Sequence, residues 1–251
     1  MRAIPQILVD QRRVSSPREH TGRQRKGKTR TGIAPVDVST MDIDLPPRPQ
    51  RASRAVSVFV SAVLRNPGAV GAVAPSSAEL GAVLASVVPT SGTPTVVELG
   101  AGTGAVTTQV AQRLPARGQH LAVEIDPVLA AHLRHTHPGV TVIDGDAAEL
   151  SALLTAEGVR RVDAVVSGLP WSLFDEAGQR RILTQVAQAL TPHGAFSTFA
   201  YRHAALLSGA VRFRALLHEV FDEVVVSRTV WRNLPPAHVY VCRRPRDLGA
   251  A

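Results

Sequence analysis

The stretch ELGAGTG at residues 98–104 decides the fold of this 251-residue chain. It follows the β-branched run 95–99 and precedes a helical pattern over about residues 105–114. Glycines at a strand-to-helix junction let the backbone turn sharply and approach a ligand, at a helix end where free N–H groups point outward. The stretch therefore predicts a ligand-binding loop after the first strand of an α/β sheet.

Outward from this loop, short β-branched runs alternate with helical stretches up to residue 201. This alternation predicts βαβ units, and hence an α/β fold with a mostly parallel sheet and helices on both faces. The runs 224–230 and 238–242 have no helix between them. They predict an antiparallel C-terminal hairpin.

The N-terminal part has a different character. Residues 1–49 show no sustained period, and the segment 11–30 alone carries +7 of the net charge of +8. We expect a basic, disordered leader, which is either a solvated tail or an arm that binds nucleic acid or anionic lipid. Residues 51–65 form an amphipathic pattern with arginines beside its apolar face. Such a helix either covers a core or lies on a membrane surface.

Several classes of protein are excluded by composition. A single cysteine, Cys242, rules out an internal disulfide framework and a multi-cysteine zinc site. The histidines 132, 135 and 137 have no acidic or cysteine partner at ligand spacing, so we expect a solvated surface and no metal. Because apolar runs are short and no secretory signal is apparent, we expect a cytoplasmic protein without a transmembrane helix.

Acidic side chains fall at the ends of three successive predicted strands: Glu98, Glu124 and Asp146. Glu124 has the spacing of a ribose-binding acid, which suits either a dinucleotide or S-adenosylmethionine. Glu98 favours the second, because a carboxylate at the mouth of the loop repels a pyrophosphate but suits an ammonium and a sulfonium. Asp146 either holds an adenine amino group or caps the next helix. Three such acids would share one cleft at the carboxyl edge of the sheet.

These motifs resemble those of class I S-adenosylmethionine-dependent methyltransferases, together with SGLPW at residues 167–171. GAVAPSS at residues 71–77 and WRNLPPA at residues 231–237 are similar to bacterial phospholipid N-methyltransferases, over about residues 55–244. The resemblance implies a Rossmann-like, seven-stranded domain over residues 50–246, followed by a tail at 247–251. It also implies S-adenosylmethionine as cofactor, bound by Glu98, Gly100, Gly102, Gly104, Glu124, Asp146, Ala147 and Ser167.

The same resemblance implies methylation of the phosphatidylethanolamine headgroup towards phosphatidylcholine. The catalytic residues would be Gly168, Leu169, Pro170, Trp171 and Tyr201. Tyr201, Arg232 and Asn233 would bind the substrate. Arg232 and Asn233 fall in the turn of the predicted hairpin, where they could grip a phosphate, and the alternative for Arg232 is a solvent-exposed turn arginine. The partner would be a phospholipid membrane surface, with the protein cytoplasmic or peripheral on the inner face of the membrane.

An rRNA adenine dimethyltransferase is the alternative, with RNA as partner, because that family is related in sequence. Its fourth strand ends in an asparagine that orients the target amino group, whereas this chain has Gly168. Glycine offers no side-chain carbonyl, which weakens base methylation. A non-catalytic cofactor- or nucleic-acid-binding protein is the second alternative, since fold alone does not fix function.

Aromatic residues predict a pocket beside the cofactor. Only one of the ten aromatic residues precedes position 171. Trp171, Phe174, Phe199, Tyr201 and Trp231 fall at or just after predicted strand ends, whereas Phe196 and Phe221 are expected in the core. Such a pocket can exclude water and stabilise a substrate that gains positive charge.

Overall fold

The computed structural model describes residues 76–247. The predicted basic leader 1–49, the predicted amphipathic helix 51–65 and the tail from residue 248 lie outside the described residues, as does most of the 71–77 motif. The domain bounds 50–246 therefore stay a prediction.

Residues 76–247 contain seven strands and six α-helices. The strands are β1 (Thr95–Leu99), β2 (Gln119–Glu124), β3 (Thr141–Asp144), β4 (Val162–Ser167), β5 (Leu190–Tyr201), β6 (Phe221–Val226) and β7 (Ala237–Pro245). The helices are α1 (Ala78–Leu84), α2 (Ala105–Arg113), α3 (Pro127–Thr136), α4 (Leu150–Ala156), α5 (Glu176–Ala189) and α6 (Ser208–Val220). Short 3-10 turns cover Ala85–Val87, Ala147–Glu149, Trp171–Leu173 and Arg202–Ala204.

The strands form one sheet in the order β3-β2-β1-β4-β5-β7-β6. Strands β1 to β5 pair in parallel, and β7 is antiparallel to both of its neighbours, β5 and β6. The predicted α/β fold with a seven-stranded, mostly parallel sheet and a C-terminal antiparallel hairpin is confirmed. The strand order reverses between β1 and β4, and open α/β sheets bind ligands in the crevice at such a switch point.

The sheet is buried on both faces, because successive side chains of a strand point to opposite sides. In β1, Val96 packs with apolar residues of α1 and α2, whereas Val97 and Leu99 pack with residues of α4, α5 and α6. The expected helices on both faces are therefore present. Phe196 and Phe221 are fully buried, as predicted.

Helix α6 is missing from the sequence analysis, which assigned no element between residues 202 and 223. The signal was available, since Phe213, Leu216, Leu217 and Val220 are buried and have the i, i+3, i+4, i+7 spacing of one helix face. The first strand of the C-terminal hairpin, predicted over 224–230, follows α6 directly as Phe221–Val226.

Within residues 76–247, no helix combines the length and the apolar character needed to cross a bilayer.

Candidate active site

The glycine loop has the backbone geometry that the sequence predicts. Gly100, Gly102 and Gly104 have φ angles of 68°, 57° and 87°, in the left-handed region that favours glycine. Gly104 caps the N-terminus of α2. A Cβ atom on Gly104 would lie 2.5 Å from Cε1 of His137, so a side chain there would have to displace the imidazole.

Glu124, at the end of β2, holds this loop from the neighbouring strand. Its Oε2 accepts a hydrogen bond from the backbone N–H of Gly102 at 2.9 Å, and its Oε1 accepts one from Asp126 at 2.9 Å. Burial raises the pKa of the Glu124 carboxyl, although the two backbone hydrogen bonds oppose that shift. The carboxylate thus links the glycine loop to the turn that opens α3.

Glu98 lies deeper than predicted. The sequence analysis placed its carboxylate at the mouth of the loop, but the residue is buried in β1, and its Oε2 lies 3.1 Å from Nε2 of His120 on β2. Its side chain points to the same sheet face as Val96, towards α1 and α2. The Oε1 atom is buried and has no hydrogen-bond partner among the described residues. One oxygen of the Glu98 carboxylate is therefore available to accept a hydrogen bond.

A cavity of about 450 Å³ lies at the carboxyl ends of β2 and β3. It is lined by Ile125, Pro127, Asp144, Gly145, Asp146, Glu149 and Arg181. Asp146 caps the 3-10 turn that follows β3, since its Oδ1 accepts a hydrogen bond from the Ala148 N–H at 2.9 Å. The capping role that the sequence allowed for Asp146 is therefore present, and it uses one of the two carboxylate oxygens. Ala147 is buried in the same turn.

The residues after β4 pack directly against the glycine loop. The N–H of Gly168 donates to the Leu99 carbonyl at 2.8 Å, and a Cβ atom on Gly168 would lie 2.7 Å from the Gly100 carbonyl oxygen. A Cβ atom on Gly100 would in turn lie 2.8 Å from Cδ2 of Leu169. A side chain at 168 would therefore meet the backbone of the loop, and one at 100 would have to displace the Leu169 side chain.

The side chains of Trp171 and Ser167 lie in the core, which differs from the site positions that the sequence predicts for them. The Trp171 ring is buried and stacks on Phe213 with centroids 4.3 Å apart, and its Nε1 donates to the Ser167 hydroxyl at 3.2 Å. The Ser167 hydroxyl also accepts from the Leu169 N–H at 3.3 Å. The Trp171 ring is thus not free to stack on a substrate, and the Ser167 hydroxyl shapes the strand end from within.

A second cavity, of about 210 Å³, lies at the carboxyl ends of β4 and β5. Its lining comes from residues 170–173, residues 199–204, the start of α6 and Tyr240 of β7. Phe199 and Tyr201 meet edge to face with centroids 5.1 Å apart, and Tyr201 stacks on His203 at 5.6 Å. Burial raises the pKa of Tyr201 to about 12. This is an aromatic pocket of the kind the sequence predicts, and we call it the acceptor cavity.

His203 is a lining residue of the acceptor cavity that the sequence analysis missed. Its position two residues after Tyr201, just beyond the end of β5, was the available signal. An imidazole stacked on a tyrosine ring in the same cavity offers a proton acceptor beside a second hydrogen-bonding side chain.

Comparison with known proteins identifies the family. A family model described as a methyltransferase domain matches residues 96–194. The ornithine lipid N-methyltransferase of Singulisphaera acidiphila is 32% identical over 193 residues, which cover 76% of this chain and 96% of that protein. The chain belongs to the class I S-adenosylmethionine-dependent methyltransferases. Its cofactor is S-adenosylmethionine, as the sequence predicts.

Solved structures of methyltransferases share the fold. The structure of a TehB-like S-adenosylmethionine-dependent methyltransferase from Corynebacterium glutamicum aligns with a TM-score of 0.50 at 16% identity, over 76% of this chain and 98% of that chain. A predicted O-methyltransferase from Agrobacterium tumefaciens aligns with a TM-score of 0.50 at 16% identity, over 64% and 79%. At these identities the likeness concerns the fold alone.

The described residues of this methyltransferase fit the cofactor. The glycine loop ends at the N-terminus of α2, Glu124 accepts a hydrogen bond from it, and the lining of the 450 Å³ cavity begins at Ile125, the residue after Glu124. The unpartnered Oε1 of Glu98 is a buried acceptor, which suits the ammonium group of S-adenosylmethionine.

Asn233 corrects the sequence prediction that it grips a phosphate, whereas a contact of Arg232 with a phosphate stays a prediction. Asn233 is buried, its Oδ1 accepts from the Ser77 N–H at 2.8 Å, and its Nδ2 donates to the Pro235 carbonyl at 2.7 Å. Arg232 pairs with Glu79 in the first turn of α1 at 3.1 Å. The Asn233 amide is thus committed within the protein, and the 231–237 motif closes onto the N-terminus of α1.

The predicted histidine surface is only partly solvated. His132 and His135 are exposed, but His137 contacts the glycine-loop helix, with its Nε2 3.1 Å from the Thr108 hydroxyl. Among residues 76–247, histidine, cysteine, aspartate and glutamate side chains form no group that could hold a metal ion.

Proposed function

We propose that this methyltransferase methylates the amine nitrogen of a membrane lipid headgroup, with phosphatidylethanolamine as the acceptor. The observation that carries the proposal is the acceptor cavity, which is aromatic, contains no carboxylate among its lining residues and opens at the switch-point edge of the sheet. The 32% sequence identity to an ornithine lipid N-methyltransferase supports a lipid amine as substrate.

In this proposal the cofactor is held by the groups at the ends of the first three strands. The backbone of Gly100, Gly102 and Gly104 approaches it, and the Glu124 carboxylate accepts from the ribose hydroxyls. Asp146 accepts from the adenine amino group, and Oε1 of Glu98 accepts from the ammonium. When bound, S-adenosylmethionine would supply an electrophilic methyl group attached to its sulfonium. The sulfur would keep the electron pair of the S–C bond.

The protein's own contribution is to align the nitrogen of a neutral amine with the methyl carbon and the sulfur, and to exclude water. The backbone at 168–170 forms the wall between the two sites, and the apolar lining of the acceptor cavity removes solvent. A lipid ammonium loses one proton to the imidazole of His203, which frees the lone pair on nitrogen for the new N–C bond. Each further methyl transfer again releases one proton from the nitrogen.

Tyr201 serves as a hydrogen-bonding group for the acceptor nitrogen. With its pKa raised to about 12 by burial, the phenol stays protonated at neutral pH. It therefore orients the amine through its hydroxyl oxygen and does not act as a phenolate base.

Base methylation is disfavoured by the geometry around Gly168. An asparagine at this position would place its Cβ atom 2.7 Å from the Gly100 carbonyl oxygen, so the backbone of the loop or of the strand end would have to shift. The side-chain amide that orients an adenine in the related RNA family therefore cannot be carried here without moving the cofactor loop or the strand end. The non-catalytic alternative does not account for an aromatic cavity at the same edge of the sheet as the glycine loop.

The test is a methyl-transfer assay with labelled S-adenosylmethionine, run in parallel on phosphatidylethanolamine, ornithine lipid and unmodified ribosomal RNA. We expect label in the phosphatidylethanolamine arm. Label in ornithine lipid alone would keep the lipid amine and replace the headgroup, whereas label in RNA alone would overturn the proposal.

Two variants sharpen this test. His203→Asn should lower the rate of methyl transfer, because the acceptor ammonium then lacks the imidazole that takes its proton. Tyr201→Phe should lower the rate by removing the hydroxyl that orients the amine. Binding of S-adenosylmethionine, measured by calorimetry, should be the same in both variants and in the wild type.

A further inference from the structure

We propose that the rim of the acceptor cavity is a docking surface for the face of an anionic lipid bilayer. This docking surface comprises Leu173, Leu206, Leu207, Trp231 and Leu234, with Arg202 between its two halves. The inference rests on the proposed function, because a lipid acceptor has to enter the cavity from a bilayer.

The apolar residues of the docking surface are unusually exposed. Leu206 is 93% exposed, Leu234 75% and Trp231 69%. Leu173 and Leu207 are about half-exposed, and both also line the acceptor cavity. Apolar side chains clustered around a cavity mouth mark an interaction site, whereas scattered single ones are ordinary.

Contacts through Arg202 join the two halves into one surface. The Arg202 N–H donates to the Pro236 carbonyl at 2.9 Å, and its guanidinium lies 5.3 Å from the centre of the Trp231 ring. The turn 202–207 and the turn 231–236 therefore lie side by side. Because His203 and Ala204 also line the acceptor cavity, this joined surface reaches its mouth.

The charge around the docking surface is mainly positive, with the exposed carboxylates of Asp175 and Glu176 two and three residues after Leu173. Residues 177–218 and 224–246 contain no aspartate or glutamate. The exposed arginines within these turns or just before them in sequence are Arg202, Arg228 and Arg232, and Arg212 and Arg214 are exposed on α6, which begins at Ser208. Glu79 of α1, which pairs with Arg232, is a carboxylate that reaches this region from another element. The surface thus complements the negative charge of anionic lipid headgroups.

Exposed leucines favour a bilayer over RNA as the occupant. Transfer of a leucine side chain from water into the acyl boundary of a membrane is favourable. A tryptophan with an adjacent arginine suits the headgroup level. RNA would contact the arginines through its phosphates and would leave Leu206 and Leu234 without a favourable contact.

The test uses the full chain and vesicles of phosphatidylcholine with phosphatidylglycerol, which contain no primary amine and hence no acceptor. The variant Leu206→Ser/Leu234→Ser should lower partitioning onto these vesicles by at least about tenfold, since two exposed apolar side chains are lost from the contact. The matched control, Val128→Thr/Val225→Thr, changes two half-exposed apolar residues outside the docking surface and should partition like the wild type. Neither variant should alter binding of S-adenosylmethionine.

Equal partitioning of the leucine variant and the wild type would overturn the docking surface. The docking surface would also be overturned if RNA displaced the protein from the vesicles and bound the leucine variant as tightly as the wild type. The proposed function is judged separately, on water-soluble short-chain phosphatidylethanolamine. There the wild type and the leucine variant should transfer methyl groups at equal rates, and absence of transfer by the wild type would count against the lipid amine and not against docking.

Discussion

Gly168 and Gly100 approach so closely that a Cβ atom on Gly168 would lie 2.7 Å from the Gly100 carbonyl oxygen. Gly168 directly follows β4, and Gly100 opens the cofactor loop after β1, the neighbour of β4 in the sheet. The contact sets the distance between the cofactor loop and the wall of the acceptor cavity. It gives the glycine at 168 a physical reason that is independent of any substrate.

Gly168→Ala should therefore strain both the fold and the cofactor site. The added methyl group meets a backbone carbonyl, and overpacking of this kind costs about 1–3 kcal/mol of the free energy of unfolding. Urea denaturation measures that loss, and calorimetry should show weaker binding of S-adenosylmethionine. Gly139→Ala is the matched control, because nothing lies within 4 Å of its Cβ position, and it should change stability by less than about 0.5 kcal/mol.

Glu124→Ala should weaken binding of S-adenosylmethionine by about 1.5–3 kcal/mol, or roughly 10- to 150-fold in Kd. The substitution removes an acceptor for the ribose hydroxyls and releases the Gly102 N–H that holds the loop. Titration calorimetry measures the affinity, with the exposed Glu157→Ala as control. An unchanged affinity in Glu124→Ala would remove this residue from the site.

Asn233→Ala and Arg232→Ala should differ sharply, although the two residues are adjacent. Loss of the Asn233 amide leaves the Ser77 N–H without its acceptor and should lower the free energy of unfolding by about 1–3 kcal/mol. Arg232 makes an exposed ion pair with Glu79, so its loss should cost less than about 1 kcal/mol. Urea denaturation of both variants checks this. A stable Asn233→Ala with a raised KM for lipid would restore the phosphate-binding role that the structure argues against.

Tyr201 should remain un-ionised in the folded protein well above pH 10. Burial raises its pKa from 10.0 to about 12, so the native state binds this proton more tightly than the unfolded state does. The stabilisation is fully present below pH 10 and is lost as the pH rises towards 12. Phenolate absorbance should thus appear near pH 11 only when urea unfolds the chain.

The control for this titration is Tyr201→Phe. Its remaining tyrosine, Tyr240, also has a pKa raised by burial, so the variant should keep a single late step where the wild type has two. A native phenolate signal of full size at pH 10 would contradict the buried position of the Tyr201 hydroxyl.

Much of the fold follows from local pattern. The alternation of β-branched runs with helical stretches predicted β1 to β5 to within a few residues, apart from the early start of β5 at Leu190. The glycine loop and Glu124 stand where their spacing placed them, because strand ends and turn glycines are properties of short segments. Helix α6 was missed although its burial pattern is regular, since no capping side chain marks its start.

The roles of individual side chains depended on contacts that no local pattern contains. Trp171 and Ser167 belong to the core because α6 brings Phe213 onto the indole, and Glu98 is buried because His120 on the next strand meets its carboxylate. His203 reaches the acceptor cavity for a similar reason, since residues after β5 fold over those after β4.

The sequence by itself determined the parallel sheet, the cofactor loop and the chemical class of the cofactor, because periodicity, glycine and acidic residues at strand ends act over a few residues. Only the tertiary structure decided that Asn233 binds Ser77, 156 positions away, and that Gly168 faces Gly100. Such pairings follow from the strand order and from the packing of helices on the sheet. They depend on the whole chain, since each distant contact forms only when all intervening elements are in place.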